Sequence, residues 1–388
     1  MRRFRSIGLP SIDFATIRTP FLVLDRARLE KNCKRMTSLA RTHGVSLRPH
    51  LKTAKSADVA AIAVSGNTGG IAVSTIAEAD YFFSRGYRDM LYGVALSPQK
   101  VAAIAALQRR GASMLVLVDS RAGVDLVGKA AGSSDTTLSI LVELDSGGGR
   151  SGVGADDARE INAIADAIQN CAALKFVGFL SHAGHAYTKN AEDASAAADD
   201  ETSAVQRAGA LLAKRGMPAA LLSVGSTPSV SHARSFEGIT ELRVGTYMFG
   251  DVQQFALGTC AFDDIAVSVI ATVIGHNYRS NRLIIDAGAL ALSLDHSAEK
   301  WVPGAGYGVL VDLNDPSVRL GLSVIEMSQE HGRVGAPNGS LPYDRFPIGS
   351  LVRIFPGHVC HTVAPYDRYY VTSGDTAIID TWDKASGW

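Results

Sequence analysis

Apolar positions along this chain fall into two textures. From about Pro20 to Gly250, short apolar runs rich in Val, Leu and Ile alternate with longer Ala-rich stretches whose apolar residues recur at helical spacing. The runs are FLVLD (21–25), VSLRPHLK (45–52), GIAVS (70–74), DMLYGV (89–94), SMLVLVD (113–119), LSILVELD (138–145), FVGFLSH (176–182), LLSVG (221–225) and ELRVG (241–245). Segments such as Ser74–Arg85, Pro98–Arg110 and Ala155–Asn170 read as helices between them. Near-continuous apolar strands are buried on both faces, and repeated βα units close naturally into a (β/α)8 TIM-type barrel. After about Phe262 the texture changes to AVSVIATVIG, NRLIIDAG, YGVLVDL, SVIEMSQ, LVRIFP and DRYYVTSG, strands with almost no helix-length segment between them. The pattern predicts an α/β protein: a barrel over residues 20–260 and a β-domain formed by residues 1–19 and 261–388.

Composition narrows the function. With 46% apolar and 20% charged residues the chain is globular, not disordered or fibrous. Lys plus Arg equals Asp plus Glu at 38 each, with no long block of like charge, so neither nucleic acid nor membrane is implied as a partner. A small-molecule ligand is the expectation. The N-terminus, MRRFRSIGLPSIDF, is positively charged but lacks the apolar stretch of a secretion signal, and no apolar run reaches membrane-spanning length, so a cytoplasmic protein is expected. Cys33, Cys171, Cys260 and Cys360 are too few and too dispersed for a disulfide framework, which fits a reducing compartment.

The segment SLRPHLK carries the most chemistry. On a strand, Arg48, His50 and Lys52 share one face, and at the C-terminal end of a barrel strand the inner face is the active-site mouth. Cations gathered there lower a lysine's pKa and free its amine as a nucleophile. His50 and Lys52 are therefore candidate catalytic residues, although a solvated strand end would show the same letters. Lys55 would face away into solvent. Downstream, Gly225, Ser226 and Thr227 follow one late strand, and Gly245, Thr246 and Tyr247 follow the next. Glycine and hydroxyl residues after late barrel strands are where phosphate sites form.

In PGHVCHTVAPYD, His358 and Cys360 are two apart, so on an extended segment both face one way and suit one divalent ion. Two protein ligands leave positions open, as a catalytic metal requires.

TPFLVLD, RPHLKT, SHAGHAY, SVGSTPS, ELRVGTYMFGD and PGHVCHTV, in that order from Thr19 to Asp375, resemble the D-threonine aldolase and D-serine dehydratase family. Its members are pyridoxal-phosphate enzymes of the alanine-racemase barrel type. The resemblance implies that Lys52 holds pyridoxal 5'-phosphate as a Schiff base. It further implies that Gly225, Ser226, Gly245 and Thr246 hold the phosphate, with Tyr247 beside it, and that Arg150 lies near the cofactor. His182, Gly184 and Tyr187 match the stretch flanking the substrate side of the ring, which makes His182 a catalytic candidate. His358 and Cys360 would bind zinc, manganese or magnesium. A homodimer and a D-amino acid substrate follow from the same likeness.

The expected reaction is metal-assisted cleavage of a D-3-hydroxyamino acid of the D-threonine aldolase type, giving glycine and acetaldehyde. The alternative is a D-serine or D-3-hydroxyaspartate dehydratase, giving a keto acid and ammonia. Cys360 inclines toward the dehydratases and the KTAKS segment toward the aldolases. Three rivals are a racemase, which needs a second base for which no motif is present, a barrel-only cofactor carrier, which has no use for a second domain, and a cofactor-free zinc hydrolase.

Overall fold

The computed structural model describes residues 13–388 apart from Thr68, Pro337, Asn338 and Asp375; the first twelve residues of the charged N-terminal stretch lie outside the described residues. The chain divides into two units. One is Lys34–Gly245 with Ala385–Trp388, and the other is the segment through Cys33 with Thr246–Lys384.

β1 (Phe21–Asp25), expected as the first barrel strand, belongs to the second unit. It pairs antiparallel with Val267–Asn277 and parallel with Arg368–Thr372. Its first four residues are buried, and such a run fits any sheet covered on both faces, so FLVLD could not itself choose between them. The divisions accordingly fall after Cys33 and Gly245 rather than after residues 19 and 260.

The barrel strands are β2 (Ser46–Leu47), β3 (Ile71–Val73), β4 (Asp89–Ala95), β5 (Ser113–Val118) and β6 (Leu138–Asp145), with β7 (Val153–Gly154) appended to β6. β8 (Leu174–Ser181), β9 (Leu221–Val224) and β10 (Glu241–Leu242) complete the set. Neighbours are parallel in the order β2-β10-β9-β8-β6-β5-β4-β3, and a bridge between His50 and Ala72 closes the ring. Helices start where the sequence supplies caps. Thr75 Oγ1 accepts from Glu78 N–H while Glu78 Oε2 accepts from Ser74 N–H, and Asp157 and Asn190 cap Ala158–Gln169 and Ala191–Ala213. Each such cap is worth about 1 kcal/mol. Ala72, Leu91, Leu117, Leu141 and Leu180 form one apolar cluster. Two residues beyond Leu141 and Leu180, on the same strand faces, come Glu143 and His182, so an apolar plug sits below a polar layer.

In the second unit, β11 (Val267–Asn277), β12 (Arg282–Ile285), β13 (Gly308–Val311), β14 (Arg319–Met327), β15 (Gly332–Gly335) and β16 (Leu351–Pro356) close antiparallel, because β12 pairs with both β11 and β15. β1, β17 (Arg368–Thr372) and β18 (Asp380–Asp383) extend this sheet. β15 and β18, four residues each, were not among the expected strands. Among the described residues, no helix is long and apolar enough to cross a membrane.

Candidate active site

The residues around Lys52 sit where β2 ends. Only Ser46–Leu47 pairs as strand; His50 N–H then donates to Val244 O (2.7 Å), Leu51 N–H donates to Ala72 O (2.8 Å), and residues 51–54 turn. Strand alternation therefore stops before Lys52, and the expected one-sided row of Arg48, His50 and Lys52 does not form. Arg48 is 4% exposed and is taken up by carboxylates, donating from Nε to Glu241 (2.6 Å) and from Nη1 to Asp89 (2.9 Å). Lys52 presents an exposed side chain at the mouth, and His50 is buried beside it. Lys55 is not solvated as expected: at φ 54° its chain turns back, and Nζ pairs with buried Glu78 at 2.8 Å.

Around the mouth the charges decide which groups can hold a proton. Burial, then the cations Lys52 and Arg243, hold His50 well below the ordinary histidine value of 6.5. His182 is pushed down to about 3 by burial, then by Arg243, Arg150 and Lys52. Both rings are neutral at neutral pH. His182 Nδ1 lies 3.2 Å from Gly225 O, and a carbonyl oxygen only accepts, so Nδ1 carries the proton and Nε2 is left as an acceptor. Arg243, which sequence reasoning passed over, is fully buried with Nη2 donating to Ser181 O (2.6 Å), among Glu201, Glu241 and Glu143. Its place two residues before Gly245 was the available signal. His50 Nδ1 and Arg243 Nε are buried without partners among the described residues. Such atoms are costly to leave so, and they mark a mouth that fits a polar ligand.

The glycine loops differ from expectation. Gly225 has φ +129°, a region that favours glycine, but its N–H donates to Glu201 Oε1 (2.9 Å) and the Ser226 N–H to Ser229 Oγ (2.9 Å). Ser226 Oγ is engaged in capping Thr227–His232, accepting from Ser229 N–H. The amides of Gly225 and Ser226 are thus bonded within the turn and shape it, and buried Thr227 begins the helix. A Cβ on Gly245 would come 2.8 Å from His50 O and 2.9 Å from Thr53 Oγ1, so this glycine lets the β10 loop lie against the Lys52 turn. Thr246 and Tyr247 open the other unit, where Thr246 Oγ1 lies 3.8 Å from Cys360 Sγ and Tyr247 is 3% exposed. Arg150 is exposed on the loop after β6, 3.8 Å from Glu143. Tyr187 is half-buried on the loop after β8, and His185 there lies 3.8 Å from Asp200.

The second unit holds the metal-type grouping. The segment expected to be extended is a helix, Val359–Val363, with His358 at its N-cap. Buried Asp251 fixes that start by accepting from Val359 N–H (2.9 Å). Helical spacing brings His361, not Cys360, to the same side as His358, with ring centroids 4.4 Å apart. Both imidazoles point Nδ1 at Asp295 Oδ2, at 2.7 and 3.0 Å. These three residues place one ligand atom each within 4.8 Å of one another; Cys360 is not among them, although its thiol interacts with His358. Asp295 and His361 thus join the expected His358–Cys360 pair as further candidate ligands. Burial opposes charge on His358, but the hydrogen bond to Asp295, then Cys360 and Asp251, raise it to about 11. The same hydrogen bond holds Asp295 far below the carboxylate range. Two imidazoles and a carboxylate form the donor set of open zinc-type sites, so the residues fit a divalent ion. Asp295, 63 residues before His358, carries no local motif, whereas His361 lay in the quoted segment itself.

The family model described as alanine racemase, N-terminal domain, matches residues 24–253, and that described as a putative serine dehydratase domain matches residues 266–372. The chain is 36% identical to D-threo-3-hydroxyaspartate dehydratase of Delftia sp. over 377 residues, covering 96% of this chain and 98% of that protein. It is 30% identical to D-serine dehydratase of Dictyostelium discoideum (97% and 98% covered) and 30% identical to D-threonine aldolase of an Arthrobacter sp. (96% and 94% covered). The solved structure of the Delftia enzyme superposes with a TM-score of 0.92 at 36% identity, covering 97% of this chain and all of that one.

Proposed function

The chain belongs to the family of alanine-racemase-type barrel enzymes that includes the D-serine dehydratases and D-threonine aldolases, lyases dependent on pyridoxal phosphate, and on that premise we propose that it dehydrates a D-3-hydroxyamino acid to a keto acid and ammonia. The observation that carries this reading is the full-length 36% identity to a D-threo-3-hydroxyaspartate dehydratase, alongside the serine-dehydratase match in the second unit. It reverses the order of the two reactions expected from sequence. Aldol cleavage remains the second reading, favoured by the full-length identity to a D-threonine aldolase.

Lys52 would hold the cofactor through its amine, with Arg150 and Thr227 as further candidate contacts. When bound, pyridoxal phosphate supplies an electron sink for charge at Cα. His358 and Cys360, with Asp295 and His361 beside them, would hold a divalent ion, which when bound supplies a Lewis acid for the β-hydroxyl. A cysteine-to-alanine mutant of a D-threo-3-hydroxyaspartate dehydratase has been solved in a metal-free form.

The chain's own groups set the proton inventory. His182 keeps its proton on Nδ1 through Gly225 O, so Nε2 can accept one, and His50, also neutral, adds no charge that would repel the ammonium form of an incoming amino acid. Arg150 keeps a permanent positive charge at the mouth, suited to a carboxylate. Product analysis tests the proposal. D-threo-3-hydroxyaspartate or D-serine should yield keto acid and ammonia in equal amounts, whereas glycine with an aldehyde from D-threonine, without ammonia, would decide for the aldolase.

A further inference from the structure

The helix Ala191–Ala213 buries a stripe of small residues: Ala194, Ala197, Ala198, Ala204, Val205 and Ala208. Glu201 stands in the middle of that stripe and is 1% exposed. Packing alone would be met by another alanine, and a carboxylate in an apolar stripe costs several kcal/mol unless its hydrogen bonds offset this. Its Oε1 accepts two backbone N–H groups, both at 2.9 Å: that of Ala183, the residue after His182, and that of Gly225, the residue before Ser226.

The remaining polar groups of the two loops lock onto each other. Gly225 O faces His182 Nδ1 at 3.2 Å, and Ala183 O lies 3.4 Å from Ser226 Oγ. One carboxylate oxygen from a helix thus joins the loops after β8 and β9, and that joint fixes which nitrogen of His182 carries the proton. Burial pushes the Glu201 carboxyl up while its bonds to Gly225, Ser229 and Ala183 and the Arg243 charge pull it down, and the two 2.9 Å N–H contacts on Oε1 make Glu201 the acceptor shared by both loops.

We propose that Glu201 is a positioning residue, bracing the His182 and Gly225–Ser226 loops into the geometry in which the mouth receives the cofactor. This rests on the reading of the mouth as the pyridoxal-phosphate site. Glu201→Gln retains an oxygen able to accept both N–H groups, whereas Glu201→Ala removes it.

The test measures deuterium uptake of the full-length, cofactor-free chain over residues 181–187 and 222–230, together with the dissociation constant of added pyridoxal phosphate. Glu201→Ala should speed exchange in those two segments and weaken cofactor binding by about ten-fold, the loss expected when a buried hydrogen-bond acceptor is removed. Exchange within residues 101–109 should stay as in the unsubstituted protein. Glu201→Gln should restore both readouts to within about two- to three-fold, since a neutral acceptor replaces a charged one. Unchanged uptake and affinity in Glu201→Ala would overturn the proposal. So would a Glu201→Gln protein that exchanges both loops as fast as Glu201→Ala, or, should Glu201→Ala not fold, one that binds the cofactor more than ten-fold more weakly than the unsubstituted chain. If the unsubstituted chain takes up no pyridoxal phosphate, the functional reading fails by itself, and the exchange comparison still decides whether Glu201 braces the loops.

Discussion

The two units treat histidine in opposite ways. In the barrel, His50 and His182 are surrounded by Lys52, Arg150 and Arg243, and burial among cations keeps them neutral. In the β-unit, His358 is partly buried but faces Asp295, Cys360 and Asp251, and it is held protonated. Burial opposes charge in both places; the sign of the neighbours decides the outcome. The barrel has an excess of fixed positive charge suited to an anionic cofactor, and the β-unit has a carboxylate-centred set that already holds a proton where a metal cation would go.

The substitution that should break the barrel half of this contrast most completely is Lys52→Ala. It is expected to abolish both the absorbance of lysine-bound cofactor and turnover, because Lys55, the nearest alternative, is committed to Glu78. Peptide mapping after borohydride reduction should find the pyridoxyl group on Lys52; recovery on another lysine would refute the assignment.

For the β-unit, metal content ranks the ligands. His358→Ala and Cys360→Ala should lose the bound ion, whereas Asp295→Ala, which removes the acceptor that orients His358, should weaken it by roughly 10–100-fold. Full retention of the ion in Cys360→Ala would remove the thiol from the set and leave Asp295, His358 and His361.

Glycine substitutions sharpen the picture inside the barrel. Gly225→Val forces a branched side chain to φ +129°, at a cost of about 1–3 kcal/mol, and should lower the melting temperature. Gly245→Val drives a side chain against His50 O and should displace the Lys52 turn. Dialysis should therefore strip cofactor from Gly245→Val sooner than from Gly225→Val, and equal retention would contradict the packing role of Gly245.

A further effect concerns pH. The folded-state value of His182, about 3, lies below its ordinary 6.5, so the unfolded chain binds the extra proton first. This contribution is complete above about pH 6.5 and is lost as pH falls toward 3, amounting to about 3 kcal/mol or less. Thermal melts from pH 7 to 4 should decline more gently for His182→Gln than for the unsubstituted protein; parallel curves would refute the neutral, buried assignment.

Eight barrel strands, the change of texture near residue 262, Lys52 at a strand end and His358 in the second domain were legible because each is written in local periodicity or a short motif. What stayed hidden depends on distant pairing. FLVLD is equally apolar in either sheet, and only its partners Val267–Asn277 and Arg368–Thr372 assign it. Asp295 gains meaning only when folding brings it to His358. The His-x-Cys reading assumed a strand where a five-residue helix forms, and the period of that helix adds His361 beside His358. Glu201 follows Asp199 and Asp200 and carries no local signal, and its partners are backbone amides that no side-chain pattern reveals.

The central claim is that the barrel holds the cofactor and the β-unit holds the ion, as separable contributions to one lyase. Exhaustive chelation of the cofactor-loaded protein, followed by parallel measurement of bound-cofactor absorbance and of keto acid released from D-threo-3-hydroxyaspartate and D-serine, tests it directly. The account predicts unchanged absorbance with turnover lost, and recovery on adding zinc, manganese or magnesium; undiminished turnover by the metal-free protein, or loss of the cofactor together with the metal, would contradict it.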